Sequence, residues 1–246
     1  MVTICCNGVT FSNIQAVVFD KDGTLADSAS FLRNLGLRRS RLIDAQIPGV
    51  QEPLLMAFGI DGNTLNPAGL MAIGTRWENE IAAAAYVAET GRDWPDALKL
   101  VRSAFVEADQ VMQRKADHTP LVEGSLDVLR SLAETSTKLG ILSSDSTANV
   151  QEFVRRYQLE LFFTVQMGTD GQISKPNPIL LQQICDALGI PPEHTLLIGD
   201  SQADIGLARA GNAAGCIACT FMGHHSSGLM EADAVINHFS QIKVES

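Results

Sequence analysis

From about Leu121 onward, short apolar runs alternate with stretches whose apolar positions recur every three or four residues. Residues 139–142, 161–165, 195–198, 215–220 and 232–236 read as buried strands, and residues 122–135, 147–157, 176–188 and 203–210 as helices. Within 122–135, Val122, Leu126, Leu129, Leu132 and Ala133 are spaced to share one helical face. Glycine and proline close these elements: Gly189 and Pro191-Pro192 after one helix, Gly211 after another. An earlier apolar run, residues 14–19, stops abruptly at Asp20-Lys21-Asp22-Gly23-Thr24, where charge and a glycine force a turn. Before it, Asn7-Gly8 between Val2-Thr3-Ile4 and Val9-Thr10-Phe11 predicts a small hairpin. Apolar strands alternating with helices predict an α/β fold, with a Rossmann-like parallel sheet covered on both faces. Such a sheet binds ligands beyond the carboxyl ends of its strands.

Residues 28–118 break the alternation. Residues 31–45, 76–90 and 94–115 look helical, separated by loops holding Pro48-Gly49, Asp61-Gly62-Asn63 and Pro67-Ala68-Gly69, and nothing there resembles a parallel strand. The segment reads as an inserted all-helical domain, 28–118, with the α/β core built from 1–27 and 119–246. Trp77, Tyr86 and Trp94 are expected in its core, and the alanines at 82–85 on a closely packed helix face.

Composition narrows the partners. In 246 residues, Lys+Arg 18 against Asp+Glu 28 leaves a net charge of −10, which argues against nucleic acid, since neutralising phosphates takes clustered cations. Apolar stretches end well short of the ~18 residues a membrane span needs. The first residues, MVTICCNGVTFSN, lack the basic head and apolar run of a secretory signal. Five cysteines at irregular spacing predict no disulfide framework, so a cytoplasmic protein is expected. Cys216 and Cys219 form a CxxC, but inside a strand they point to opposite faces, which predicts core packing rather than zinc or redox chemistry. His224-His225 follow in a loop at the ligand-binding edge, His118 falls where the insertion rejoins the core, and Arg76 opens a helix of the insertion, either as a solvated helix start or as a clamp for an anionic substrate.

The polar residues at strand ends carry the chemistry. Asp20 and Asp22 follow one predicted strand, Ser143 and Ser144 a second and Asp200 a third, while Lys175 precedes a helix. Clustered carboxylates repel unless a hard cation joins them, and Mg2+ takes oxygen ligands. A lysine and a serine hydroxyl beside such a cation suit a phosphate dianion. A carboxylate aimed at phosphorus can act as nucleophile, and a second two residues on can exchange protons with the leaving oxygen and with water.

FDKDGTLADS at 19–28 resembles the first motif, DxDGT, of the haloacid dehalogenase superfamily phosphatases. Ser143, Lys175 and GDSQAD at 199–204 then fall in the order of that family's later motifs. LVEGSLDVLRSL at 121–132 and EADAVINHFSQI at 231–242 resemble its flanks, and an insertion after motif one is where the family carries its helical cap. The resemblance implies Asp20 as nucleophile and Mg2+ ligand, Asp22 as general acid/base with its carbonyl on the metal, and Asp200 as a further ligand. It also implies Ser143, Ser144 and Lys175 around the phosphoryl oxygens, with Thr24 and Asp204 orienting the metal site from behind. Asp at 22 favours phosphate esters, because members that cleave carbon–halogen or carbon–phosphorus bonds usually lack it. Lys21 departs from the usual apolar middle residue and is expected to add positive potential or to face solvent. The cap size resembles that of phosphoglycolate-phosphatase-like members, which act on small phosphorylated metabolites. Two alternatives stand beside this reading. One is a sugar phosphomutase of the β-phosphoglucomutase type, for which Arg33, Arg38 and Arg39 look too much like an exposed helix side. The other is a non-catalytic phosphate- or partner-binding module, which would be expected to lose Asp22 or Lys175.

Overall fold

The computed structural model describes residues 1–112, 114–169, 173–221 and 227–245. The chain divides into two compact units, Met1–Asp27 with Thr119–Ser246, and Ser28–His118. The first begins with β1 (Val2–Cys6) and β2 (Val9–Ile14), antiparallel about Asn7 and Gly8. Their φ values of 47° and 84° are both positive, as a tight two-residue hairpin turn demands. β3 (Ala16–Phe19) follows, every residue buried. The single predicted strand 14–19 is thus split at Gln15, because Ile14 pairs with Val2 in the hairpin while Ala16 enters the main sheet.

The second unit holds α1 (Ala29–Asp44), α2 (Gln51–Phe58), the short strands β4 (Ile60–Asp61) and β5 (Thr64–Leu65), α3 (Leu70–Ile73), α4 (Arg76–Glu89) and α5 (Trp94–Val111). It is therefore not wholly helical: Asp61 to Thr64 turns a small antiparallel hairpin. A capping box between Thr75 and Glu78 starts α4. Phe58 and Phe105 meet edge-to-face at 6.4 Å in the core, and Ala83, Ala84, Ala97 and Ala104 let α4 and α5 approach. Trp77 and Trp94 correct the expectation placed on them. They are 61% and 45% exposed, each in the first turn of its helix, while only Tyr86 packs against the core. Arg39 is corrected in the opposite sense, being buried, with its guanidinium 4.1 Å from the Phe105 ring centre and 3.1 Å from Asp109. Stacking and a carboxylate partner together let a weakly hydrated guanidinium leave water.

The first unit resumes with α6 (Ser125–Ala133), β6 (Lys138–Leu142), α7 (Thr147–Arg156), β7 (Phe163–Met167), α8 (Pro178–Leu188), β8 (Thr195–Gly199), α9 (Gln202–Ala210), β9 (Gly215–Cys219), β10 (Ala234–Ile236) and β11 (Ile242–Glu245). Six strands form one parallel sheet in the order β10-β9-β8-β3-β6-β7. Leu180, Leu181, Ile184 and Leu188 of α8 and Ile205, Leu207 and Ala208 of α9 pack on one face of it with Val18, Leu197 and Cys216. α8 starts at Pro178, two residues later than predicted, because Asn177 caps it by accepting the Ile179 N–H. β11, which the hydrophobic pattern did not single out, pairs with β1 and completes a three-stranded sheet with β2. On either side of the second unit the chain is paired with itself: Asp27 N donates to Pro120 O at 2.8 Å and Val122 N to Leu25 O at 2.9 Å. Among the described residues, no helix is long and apolar enough to cross a membrane.

Candidate active site

Register brings the predicted residues to one edge. β3 lies between β8 and β6, with Phe19 opposite Ile198 on one side and Ile141 on the other. Asp20 therefore leaves the sheet level with Gly199 and Leu142, just short of Asp200 and Ser143. Its N–H donates to Ile198 O at 2.8 Å, and the Ser143 N–H to Met167 O at 3.0 Å, so the strand ends are stitched together.

Lys175 reaches this edge from the chain before α8. Its ammonium donates to Asp20 Oδ1 and Asp204 Oδ1, each at 2.7 Å, with all three residues buried. Asp204 stands in the first turn of α9, where its Oδ2 accepts from Ser201 Oγ at 2.6 Å while its N–H donates back to that hydroxyl. Ser201 thus caps the helix and aims the carboxylate. Asp20, Asp200 and Asp204 offer ligand oxygens within 4.8 Å of one another. Ser143 is buried and its Oγ accepts the Asp145 N–H at 3.1 Å, leaving its own proton to donate. Ser144 is exposed. Thr24 is fully buried, and among the described residues its hydroxyl has no hydrogen-bond partner.

The charge of this group is unbalanced. Three carboxylates face one ammonium, a formal excess of two negative charges. Burial is the main force pushing Asp20 up from 3.8 to about 6; Lys175 pulls it back and Asp204 adds to the rise. Burial, then Asp20 and Asp204, hold Asp200 well above the usual carboxylate range. Burial works against the Lys175 ammonium, but its two carboxylates outweigh that and raise its pKa. An all-oxygen donor set with two surplus negative charges fits a hard divalent cation such as Mg2+.

Gly23 shows how closely the turn is built. Its φ is +84°, and a Cβ placed there would lie 1.8 Å from Asp200 Oδ2. Gly23→Ala is expected to cost about 1–2 kcal/mol through the left-handed backbone alone, and to displace Asp200 as well. Urea unfolding and Mg2+ titration check this; a variant with wild-type stability and metal affinity would show the turn to be looser than described.

The model of the haloacid dehalogenase-like hydrolases matches residues 14–212. The chain belongs to that family. This hydrolase is 27% identical over 242 residues to the phosphoglycolate phosphatase of Salmonella typhimurium, covering 94% of its own chain and 91% of the relative. Its fold is shared with a Haemophilus somnus protein described as a predicted phosphoglycolate phosphatase (TM-score 0.67, 17% identity, 93% of this chain and 96% of that one). It is shared too with a Thermotoga maritima protein provisionally described as a beta-phosphoglucomutase (TM-score 0.58, 18% identity, 93% and 96%).

The other candidates have surroundings of their own. In the hydrolase's second unit, Arg76 donates through Nε to Glu80 at 2.8 Å and through Nη1 to Asp109, with its side chain 46% exposed. His118 stacks on Phe31 with ring centres 6.4 Å apart. Cys216 and Cys219 are buried in β9, and burial raises both thiols, so neither supplies a ready thiolate. His224 and His225 lie outside the described residues. Lys21 corrects one arm of its expectation: it is 1% exposed and faces Asp22 and Asp145 rather than solvent. Asp145 was missed altogether. A lysine flanked by two aspartates at the end of a buried strand was the available signal, since such a cation needs carboxylate partners.

Proposed function

We propose that this hydrolase is a Mg2+-dependent phosphomonoesterase that cleaves a small phosphorylated metabolite through an aspartyl-phosphate on Asp20. The observation that carries the reading is Lys175 bound to Asp20 Oδ1 within a group of three carboxylates. The ammonium occupies one oxygen of Asp20 and leaves Oδ2 as the atom to attack phosphorus. Asp20 and Asp200, with the Asp22 carbonyl, would hold Mg2+, with Asp204 and Thr24 behind them; when bound, the ion neutralises charge on the transferring phosphoryl group. Ser143, through its hydroxyl proton, with Ser144 and Lys175, would take the remaining phosphoryl oxygens. Asp22 would protonate the leaving oxygen, then take a proton from the water that hydrolyses the acyl phosphate.

The inserted unit, in this reading, is the cap that selects the substrate and excludes bulk water. Arg76 enters as a tie within that unit, because a substrate carboxylate would have to compete with Glu80 and Asp109 for its guanidinium. The kinship with phosphoglycolate phosphatases makes 2-phosphoglycolate the first ester to try. A mutase stays the alternative, since the fold is common to both activities. The test is inorganic phosphate release from p-nitrophenyl phosphate and a metabolite panel, with Mg2+ and with EDTA. Metal-dependent release is expected. Interconversion of sugar phosphates without release would favour the mutase, and folded protein inert toward every ester would overturn the reading.

A further inference from the structure

We propose that Lys21 is a positioning residue whose buried ammonium ties Asp22, in the nucleophile's turn, to Asp145, in the loop after β6, holding the acid/base carboxylate and the phosphate-binding loop in one arrangement. The proposal rests on the phosphatase reading for the roles of Asp22 and Ser143, but not for the tie itself.

Lys21 Nζ donates to Asp22 Oδ2 at 2.7 Å and lies 3.1 Å from Asp145 Oδ2, with its side chain 1% exposed and the Phe153 ring centre 5.7 Å away. Burying an ammonium carries a desolvation cost that its partners must offset, so an apolar side chain is the less costly way to fill such a place. A buried ion group is weak evidence for added stability, and fixing the geometry of the two loops is the role proposed for this one. Asp145 is a suitable anchor because it is held independently. Its Oδ1 accepts from Ser146 N at 2.9 Å and Asn149 Nδ2 at 2.6 Å, both at the start of α7. Its carbonyl accepts the Thr169 N–H at 2.8 Å, and its own N–H donates to Ser143 Oγ at 3.1 Å. The same backbone that presents the Ser143 hydroxyl therefore fixes the carboxylate that holds Lys21. Around Lys21 the turn closes on itself, since its carbonyl accepts the N–H groups of Leu25 and Ala26 at 2.9 and 2.8 Å. A shift of either loop thus moves Asp22 relative to Ser143, and a misplacement of an ångström at such a distance costs rate.

The test compares wild type, Lys21→Met, Lys21→Arg, Asp145→Asn and the Lys21→Met/Asp145→Asn double variant on an alkyl phosphate and on p-nitrophenyl phosphate. An alkyl leaving oxygen needs the proton from Asp22, whereas p-nitrophenolate leaves without help. Lys21→Met is expected to lower kcat/KM, which reads the steps up to the aspartyl-phosphate and not its hydrolysis, roughly tenfold or more on the alkyl ester and less than about threefold on the aryl ester. Lys21→Arg should recover part of the loss, and the double variant should lose no more than the worse single. Amide hydrogen exchange reads the tie without turnover: residues 22–26 and 143–146 should both exchange faster in Lys21→Met. Should Lys21→Met fail to fold, Asp145→Asn, which keeps the Lys21–Asp22 pair, must show the same ester selectivity and faster exchange in both loops. Equal losses of kcat/KM on the two esters, or exchange that changes in one loop only, overturn the proposal. A wild type that releases phosphate from neither ester overturns the phosphatase reading, while coupled exchange would leave the tie standing.

Discussion

Asp20→Asn is expected to lower phosphate release by at least ~10³-fold on every ester while leaving the protein folded. The amide keeps a carbonyl oxygen for the Lys175 ammonium, so the 2.7 Å contact survives the change. What disappears is the nucleophilic oxygen and one of three clustered negative charges. Losing that charge relieves repulsion, so metal-free Asp20→Asn should be at least as stable as the wild type, and acid-quenched protein should carry no phosphate on an aspartyl group. Steady-state release and unfolding in EDTA check the two halves separately. A residual rate within tenfold of wild type would falsify the assignment of Asp20 as nucleophile.

Without metal, the protein should become less stable as pH rises from about 4 to about 6. Asp20 has its folded-state pKa raised from 3.8 to about 6, so within that window the folded protein holds a proton that the unfolded chain has released. Stability therefore falls as pH rises, by about 3 kcal/mol for a shift of this size. Asp200 is displaced in the same direction and adds to the slope. Lys175, its pKa raised, is charged in both states throughout the window and contributes none. Mg2+ should reverse the trend, because it binds the ionised carboxylates and so stabilises the folded state more as pH rises. Urea midpoints at pH 4 and 6.5, in EDTA and in excess Mg2+, measure the effect. A metal-free protein more stable at pH 6.5 than at pH 4 contradicts the charge arrangement described.

Local pattern was enough for what repeats along the chain. Short apolar runs stopped by Asp20, Ser143 and Asp200 were readable as strand ends because a strand buried on both faces carries no polar residue until it leaves the sheet. The order of motifs around them marked the family, whose model spans residues 14–212. Elements that depend on distant partners were not readable. β11 forms because β1 offers it an edge at the other end of the chain, and β3 begins after Gln15 because Ile14 belongs to another sheet. Side-chain environment was the least legible property. Trp77 and Trp94 are exposed although aromatic, while Arg39 and Lys21 are buried although charged. Both charged residues have a partner far away in sequence: Phe105 and Asp109 for Arg39, and Asp145, beside the adjacent Asp22, for Lys21. The sequence by itself thus determined which groups stand at the strand ends and the family they mark. Only the tertiary structure decided that Asp20 and Asp204 would share the Lys175 ammonium and that Lys21 would be enclosed, because burial and ion pairing are set by what the fold brings alongside a residue.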